Sequence, residues 1–375
     1  MKNVLLKGMT WSDPRGFDPV VAAAKAYNDV AVHWDKRSLQ DFESYPVDEL
    51  AARYDLIIID HPHVGAITAQ NCLEPFDDWA SSDQLARLSN ESVGRSFESY
   101  HYQGKQWALP VDAATQVQAF RPDLQAQPLT SWQQVVKMAE DGRVAWAMRN
   151  PHILMHFFTL AANLGTPCSV SRGPLIEPGV GERVIDALLA VTRYLDTAFY
   201  EMDPIAILDL LAEEQTYAVS PFIYLYRGYA SPAYRSHQVR FADIPCIGRS
   251  GPIGSVLGGT GIAVSAHCAH KQEAMAFALW LASAECQRTV YAEHLGQPGN
   301  ALAWSDEKVN AQAGNAYFDT RCTLEGSWVR PRHAGYMAFQ EEGSEILANA
   351  CRQSMTPTQA TRQLNERFMA SFEGV

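Results

Sequence analysis

The sequence contains no apolar run of about 18 residues, so nothing in it reads as a bilayer-spanning helix. Charge is sparse as well. Charged residues make up 19% of the chain, and the balance is acidic, with a net charge of −12. That sign gives no basis for a nucleic-acid surface or for attraction to an anionic membrane. The seven cysteines (Cys72, Cys168, Cys246, Cys268, Cys286, Cys322 and Cys351) include no C-x-x-C pair, which argues against a zinc ribbon or a thioredoxin-type site. An odd, scattered set suits a reducing compartment, with most of them serving as small buried hydrophobes. No G-x-S-x-G elbow occurs: Gly254-Ser255-Val256-Leu257-Gly258 lacks the glycine two residues after serine. No G-x-x-x-x-G-K-[ST] loop and no H-E-x-x-H pair occur either. Internal repeats, linkers and low-complexity tracts are missing too. At the start, Met1-Lys2-Asn3 runs straight into a short strand, without the combined features of a signal peptide. That leaves either a leader already removed or a chain that stays in the cytoplasm.

What is present is enough apolar material for real cores. Hydrophobic residues make up 47% of 375 residues, which excludes long disorder and suggests two domains of about 150–200 residues. Residues 4–9 read as a buried strand and Trp11–Gly16 as a loop. Residues 18–28 read as a helix with Asp18 as N-cap and Pro19 at the first position. Val30–Trp34 is a second strand, Asp48–Arg53 a short helix, and Asp55-Leu56-Ile57-Ile58-Ile59-Asp60 a strand apolar on both faces, as in parallel sheets. Alternating strands and helices over 60 residues predict a doubly wound α/β domain, whose ligands lie at the carboxyl ends of strands. Those ends are Trp11–Arg15 and His61-Pro62-His63. Further on, Ser131 to Gln134 has the form of a capped helix start. Val144–Met148, Tyr217–Ser220 and Val239–Ile244 read as strands, and helices are expected at about 152–164, 181–198, 204–213, 271–281 and 284–293.

Four stretches in order carry a resemblance. Leu73-Glu74-Pro75-Phe76-Asp77-Asp78-Trp79 is similar to an L-x-P-L-D-D turn, and Gly104-Lys105-Gln106-Trp107-Ala108-Leu109-Pro110 to a G-K-x-Y-G-L-P hairpin. Leu129-Thr130-Ser131-Trp132-Gln133-Gln134 is similar to P-x-T-W-D-E. Gly258-Gly259-Thr260-Gly261-Ile262-Ala263-Val264-Ser265, followed by the helix from Lys271 to Gln287, is the most specific stretch. Together they resemble the family-1 extracellular solute-binding proteins, which include carbohydrate-binding components of ABC importers. The resemblance implies a type II periplasmic-binding-protein-like fold: two doubly wound α/β lobes joined by hinge crossovers near Val111–Asp112, Thr260–Gly261 and Ala303–Trp304. The expected lobes are 1–111 with 262–302, and 112–261 with 303–375. It also implies a non-enzymatic, monomeric protein that closes on a small solute by hinge motion. No cofactor and no nucleic acid are expected. The expected partner is the membrane permease of an ABC transporter, in a periplasmic or extracellular location.

A sugar site needs aromatic faces for the ring and polar groups for the hydroxyls. Strand-end loops offer Trp11, Asp13, His61, His63, Asp112, Arg149, Phe222, Tyr224, Gly259 and Thr260, with Trp304 and Arg332 from the third crossing and the loop before the final helices. Each has a plainer reading. Trp11 is either cleft lining or core, His61 and His63 either ligand contacts or satisfied loop histidines, Asp112 a contact or a hinge hydrogen-bonder, and Arg149 a contact or a surface residue. Phe222 and Tyr224 lead the list, because alternation aims both the same way. Met155-His156-Phe157-Phe158 reads as helix core. The arginines and histidines leave a carboxylate-bearing ligand open. Two other functions remain: a cytoplasmic sensor or carrier with the same fold, and a metal-dependent enzyme using His61 and His63 beside Asp60.

Overall fold

The structure, a computed structural model, describes residues 4–38 and 46–373. It divides into two compact units: Met1–Ala114 with Gly258–Gln312 and Arg332–Ala334, and Thr115–Leu257 with Ala313–Pro331 and Gly335–Val375. The chain thus changes unit at 114/115, 257/258 and 312/313, where the sequence placed the changes at 111/112, 261/262 and 302/303. The brief return of Arg332–Ala334 to the first unit has no counterpart in the sequence reading. Among the described residues no helix is long and apolar enough to cross a membrane.

In the first unit, β1 (Leu5–Trp11) lies parallel between β2 (Ala31–Arg37) and β3 (Leu56–Ile59), with Gly8 opposite both Trp34 and Leu56. Strand alternation divides the apolar residues between two faces. Leu6, Leu56 and Ile58 join Val20, Ala23, Phe277 and Leu281 of the helices Pro14–Ala26 and Lys271–Leu281. Met9, Ile57 and Ile59 join Leu50, Val64 and Ile67 of the short helices on the other side. Both faces of β3 are therefore covered, which is why its four residues are uniformly apolar and buried. The strand β5 (Leu257–Ser265) runs antiparallel to β3, with Gly261 opposite Ile59. The strand β4 (Leu109–Phe120), buried along its whole length, carries the chain from the first unit into the second.

One element begins earlier than the sequence suggests. The helix α1 spans Pro14–Ala26, capped by Asp13, so Trp11–Gly16 is not a loop, Asp18 is not the cap, and Pro19 lies inside the helix. Asp13-Pro14 and Asp18-Pro19 carry the same cap-then-proline signal. Packing selects the first pair: Gly16 is the residue that lets α1 close on the Trp11 ring, since a Cβ there would come within 2.2 Å of the indole.

The second unit is built around the helix His152–Asn163, whose every residue is buried. The helices Pro178–Thr192 and Tyr336–Cys351 pack against it, and Pro357–Ala370 packs on those two. Ser131 closes a full capping box with Gln134 on the helix Trp132–Glu140. Two strand expectations change. Val144–Met148 is extended but not a ladder strand: Val144 makes only an isolated bridge with Val219, and the Met148 amide donates to Phe199 O at 3.1 Å. The strand expected to end at Ser220 instead spans Val219–Tyr224 and tolerates Pro221 because the pairing with β4 shifts register there. The expected helix 284–293 breaks into the short helix Ala284–Cys286 and a wide turn over Gln287–Tyr291.

Candidate ligand-binding site

In the first unit the parallel strands β1 and β3 end at the same edge of the sheet, at Trp11 and Ile59. The antiparallel β5 reaches that edge with Gly259 and Thr260, which precede the Gly261–Ile59 pair. From the end of β1 the chain turns at Asp13, whose carboxylate accepts from the Arg15 amide at 2.9 Å and caps α1. Burial raises the Asp13 carboxyl above the usual carboxylate range, opposed by the Arg15 amide and guanidinium. Arg15 then faces Asp112 of β4 in a two-pronged pair: Nε donates to Oδ2 at 2.8 Å, and Nη2 donates to Oδ1. Both residues are buried, Arg15 at 7% exposure and Asp112 at 1%. The geometry is the fork-to-carboxylate match that makes arginine the preferred buried partner of aspartate.

Gly259 takes φ +92°, and a Cβ there would sit 2.3 Å from the Asp112 carbonyl oxygen. Glycine is required here on both counts, conformation and close approach. The Tyr100 hydroxyl donates to Ile59 O at 3.2 Å, and its ring meets His61 edge-on at 6.2 Å. His61, fully buried, opens the 3-10 turn His61–His63, with its amide on Asp60 Oδ1 at 2.8 Å and its Nδ1 3.2 Å from the same oxygen. Thr260 is 5% exposed, and its Oγ1 is buried with no hydrogen-bond partner.

Seven of the expected residues therefore converge on one edge: Trp11, Asp13, His61, His63, Asp112, Gly259 and Thr260. Their surroundings sort them further. Trp11 belongs to the apolar core, packed on Gly16 at 3% exposure. Asp112 is committed to Arg15. The two weaker choices are struts of the first unit. Trp304 is buried, and its indole N–H donates to Pro298 O at 2.6 Å. Arg332 donates through Nη1 to the carbonyls of Glu98, Ser99 and His101 at 2.9, 2.8 and 2.8 Å. Among the described residues no three His, Cys, Asp or Glu side chains gather as a metal-binding group, and the Asp60 carboxylate is used on the His61 backbone.

In the second unit Arg149 pairs with Asp203 at 3.0 Å, and Asp203 also caps the helix Pro204–Glu213 through the Ala206 amide. Phe222 was the leading choice from the sequence, yet it has no exposed surface. It stacks on Trp132 at 5.2 Å and meets Trp146 edge-on at 5.9 Å. It is core. Alternation did aim Phe222 and Tyr224 at the same helix: Phe222 lies near His156 and Tyr224 near His152, 6.3 and 6.2 Å between ring centroids. Only Tyr224, at the carboxyl end of its strand, is partly exposed. Three residues escaped the sequence reading. Arg15 sat in a segment read as loop, Tyr100 carried no local signal, and His152 closed a named strand-end loop without being singled out.

All seven cysteines are free thiols, five of them buried. Burial pushes Cys72 up to about 11 and Cys268 and Cys351 to about 12, so these stay protonated near neutrality.

A sequence family described as bacterial extracellular solute-binding proteins matches residues 21–313. No curated protein matches the chain by sequence. Among solved structures, a T. maritima protein with maltose bound is similar, with TM-score 0.81 and 15% identity over 97% of this chain and 98% of that one. An ABC transporter solute-binding protein from Agrobacterium radiobacter K84 in complex with ribitol has TM-score 0.77 and 18% identity over 98% of both chains. The Thermus thermophilus maltotriose-binding protein has TM-score 0.74 and 14% identity over 99% and 100%. At these identities the likeness establishes the fold, two doubly wound α/β lobes of the type II periplasmic-binding kind.

Proposed function

The chain belongs to the bacterial extracellular solute-binding proteins, and from that premise we propose that it captures a sugar or sugar derivative and delivers it to the permease of an ABC importer. The observation that carries this reading is the Thr260 hydroxyl. It is buried, lacks a partner, and stands at the sheet edge where strand ends present polar groups. A buried hydroxyl without a partner costs about 1–3 kcal/mol, a penalty that a hydroxylated guest removes. The solutes of the structural neighbours (maltose, ribitol and maltotriose) support a polyhydroxylated ligand. The protein acts as a monomer on the outer side of the membrane and releases its solute unchanged.

A thermal-shift series with mono-, di- and trisaccharides, polyols and organic acids tests the reading, because a ligand bound only by the native state raises Tm. At least one is expected to do so, and Thr260→Val should weaken that ligand about tenfold without lowering the Tm of the free protein. No shift with any compound, or chemical turnover of one, would refute it. A carrier working in a reducing compartment is a second reading, favoured by the seven free thiols. Cell fractionation separates the two.

A further inference from the structure

On the helix His152–Asn163 two histidines stand one turn apart in opposite situations. His156 is fully satisfied: Nε2 donates to Ala147 O at 2.7 Å, and Nδ1 accepts from Gln116 Nε2 at 2.8 Å. The network closes through Thr159 Oγ1, which donates to Gln116 Oε1 at 2.6 Å and accepts from the Val256 amide at 3.1 Å. His152 is just as enclosed, at 3% exposure, yet neither ring nitrogen has a hydrogen-bond partner. Burial, with Arg149 and Arg330 beside it, pushes His152 down to about 3, so the ring is neutral and keeps one N–H to donate. A histidine placed only for packing would be replaced at lower cost by an apolar ring.

The neighbours of His152 define what could satisfy it. It is the first residue of a 12-residue helix whose cap, Pro151, offers no side-chain bond, and the Leu154 amide of the first turn donates to the Pro151 carbonyl at 3.1 Å. Its own amide donates to the Arg149 carbonyl at 2.8 Å, which holds the Arg149 backbone against the first turn. Tyr224 presents its ring edge-on at 6.2 Å from the carboxyl end of its strand. The set consists of a guanidinium, a neutral N–H donor and a half-buried aromatic ring. These are the groups that recognise an oxyanion attached to a ring. Arg149 is already paired with Asp203, so the spare positive charge is small and suits one negative charge better than two.

We propose that His152, Arg149 and Tyr224 form a subsite in the second unit for a carboxylate on the solute, making the ligand a sugar acid and not a neutral sugar. This rests on the solute-binding reading above and narrows it.

The test is calorimetric titration of the full-length protein with glucose, glucuronate, gluconate and glucose 6-phosphate, on wild type, His152→Phe and Arg149→Met. A carboxylate probe is expected to bind at least tenfold tighter than glucose or the phosphate. Both variants should lose that preference by tenfold or more, while His152→Phe keeps or raises the Tm of the free protein. Should His152→Phe fail to fold, Arg149→Met on the half-exposed arginine carries the same comparison. A neutral sugar binding as tightly as its acid, or the phosphate binding tightest, overturns the carboxylate subsite and leaves solute binding intact. So does a preference unchanged by either variant. If all four probes and the wider solute series fail to bind, both readings fall.

Discussion

Replacing one member of the Arg15–Asp112 pair exposes the energetics of the first unit. Arg15→Met leaves the Asp112 carboxylate at 1% exposure, with the Gln297 backbone as its remaining donor. Asp112→Leu strands a guanidinium that is 7% exposed. Breaking a buried pair from either side costs about 3–5 kcal/mol, because a charge stays behind without its counterpart. Removing both charges together, in Arg15→Met/Asp112→Leu, trades the pair for apolar contact and should cost less than either single change. With a total stability of about 5–15 kcal/mol, each single variant loses a large share of the native margin. Urea unfolding followed by circular dichroism and tryptophan fluorescence measures all four corners of the cycle. Single costs below about 1 kcal/mol, or a double variant equal to the sum of the singles, would refute the claim that these side chains are buried and mutually dependent.

Acidification should weaken the second unit through His152 and His156. Both are pushed down to about 3 by burial, whereas the unfolded chain protonates them near pH 6.5. The stabilising contribution is therefore complete above about pH 6.5 and declines as pH falls toward 3, by about 1.4 kcal/mol per unit for each histidine. His152→Phe should halve that part of the slope in urea midpoints taken from pH 7 to pH 4; an unchanged slope would contradict the buried neutral ring. Phe222→Ala should cost about 3–5 kcal/mol by opening a hole beside Trp132 and Trp146, and a loss under 1 kcal/mol in denaturant melts would return Phe222 to the surface. Gly259→Ala meets the Asp112 carbonyl and a left-handed backbone at once. It should lower Tm by 10 °C or more or block folding, and a normal melting curve would contradict the close approach.

The parallel β1–β3 layer was readable because Leu56–Ile59 can be covered only from both sides, and the Ser131–Gln134 cap because its spacing leaves one local solution. The start of α1 was not readable, since Asp13-Pro14 and Asp18-Pro19 are equivalent locally and only the fit of Gly16 against Trp11 separates them. The same limit governed the site. Period-2 alternation put Phe222 and Tyr224 on one face, but it could not say that the helix covers Phe222 completely and leaves Tyr224 at the rim. Arg332 looked available because nothing local reveals three carbonyls, at residues 98, 99 and 101, converging on it. Asp112 read as a ligand contact or a hinge hydrogen-bonder, and no local signal reveals that the partner holding it lies 97 residues earlier in the chain.

The helix Tyr336–Cys351 packs on His152–Asn163 and Pro178–Thr192, and Pro357–Ala370 packs on Tyr336–Cys351 and Pro178–Thr192. The apolar helix 152–163 is therefore sealed in part by a segment distant in sequence, so the second core closes through long-range contacts and should form late in folding.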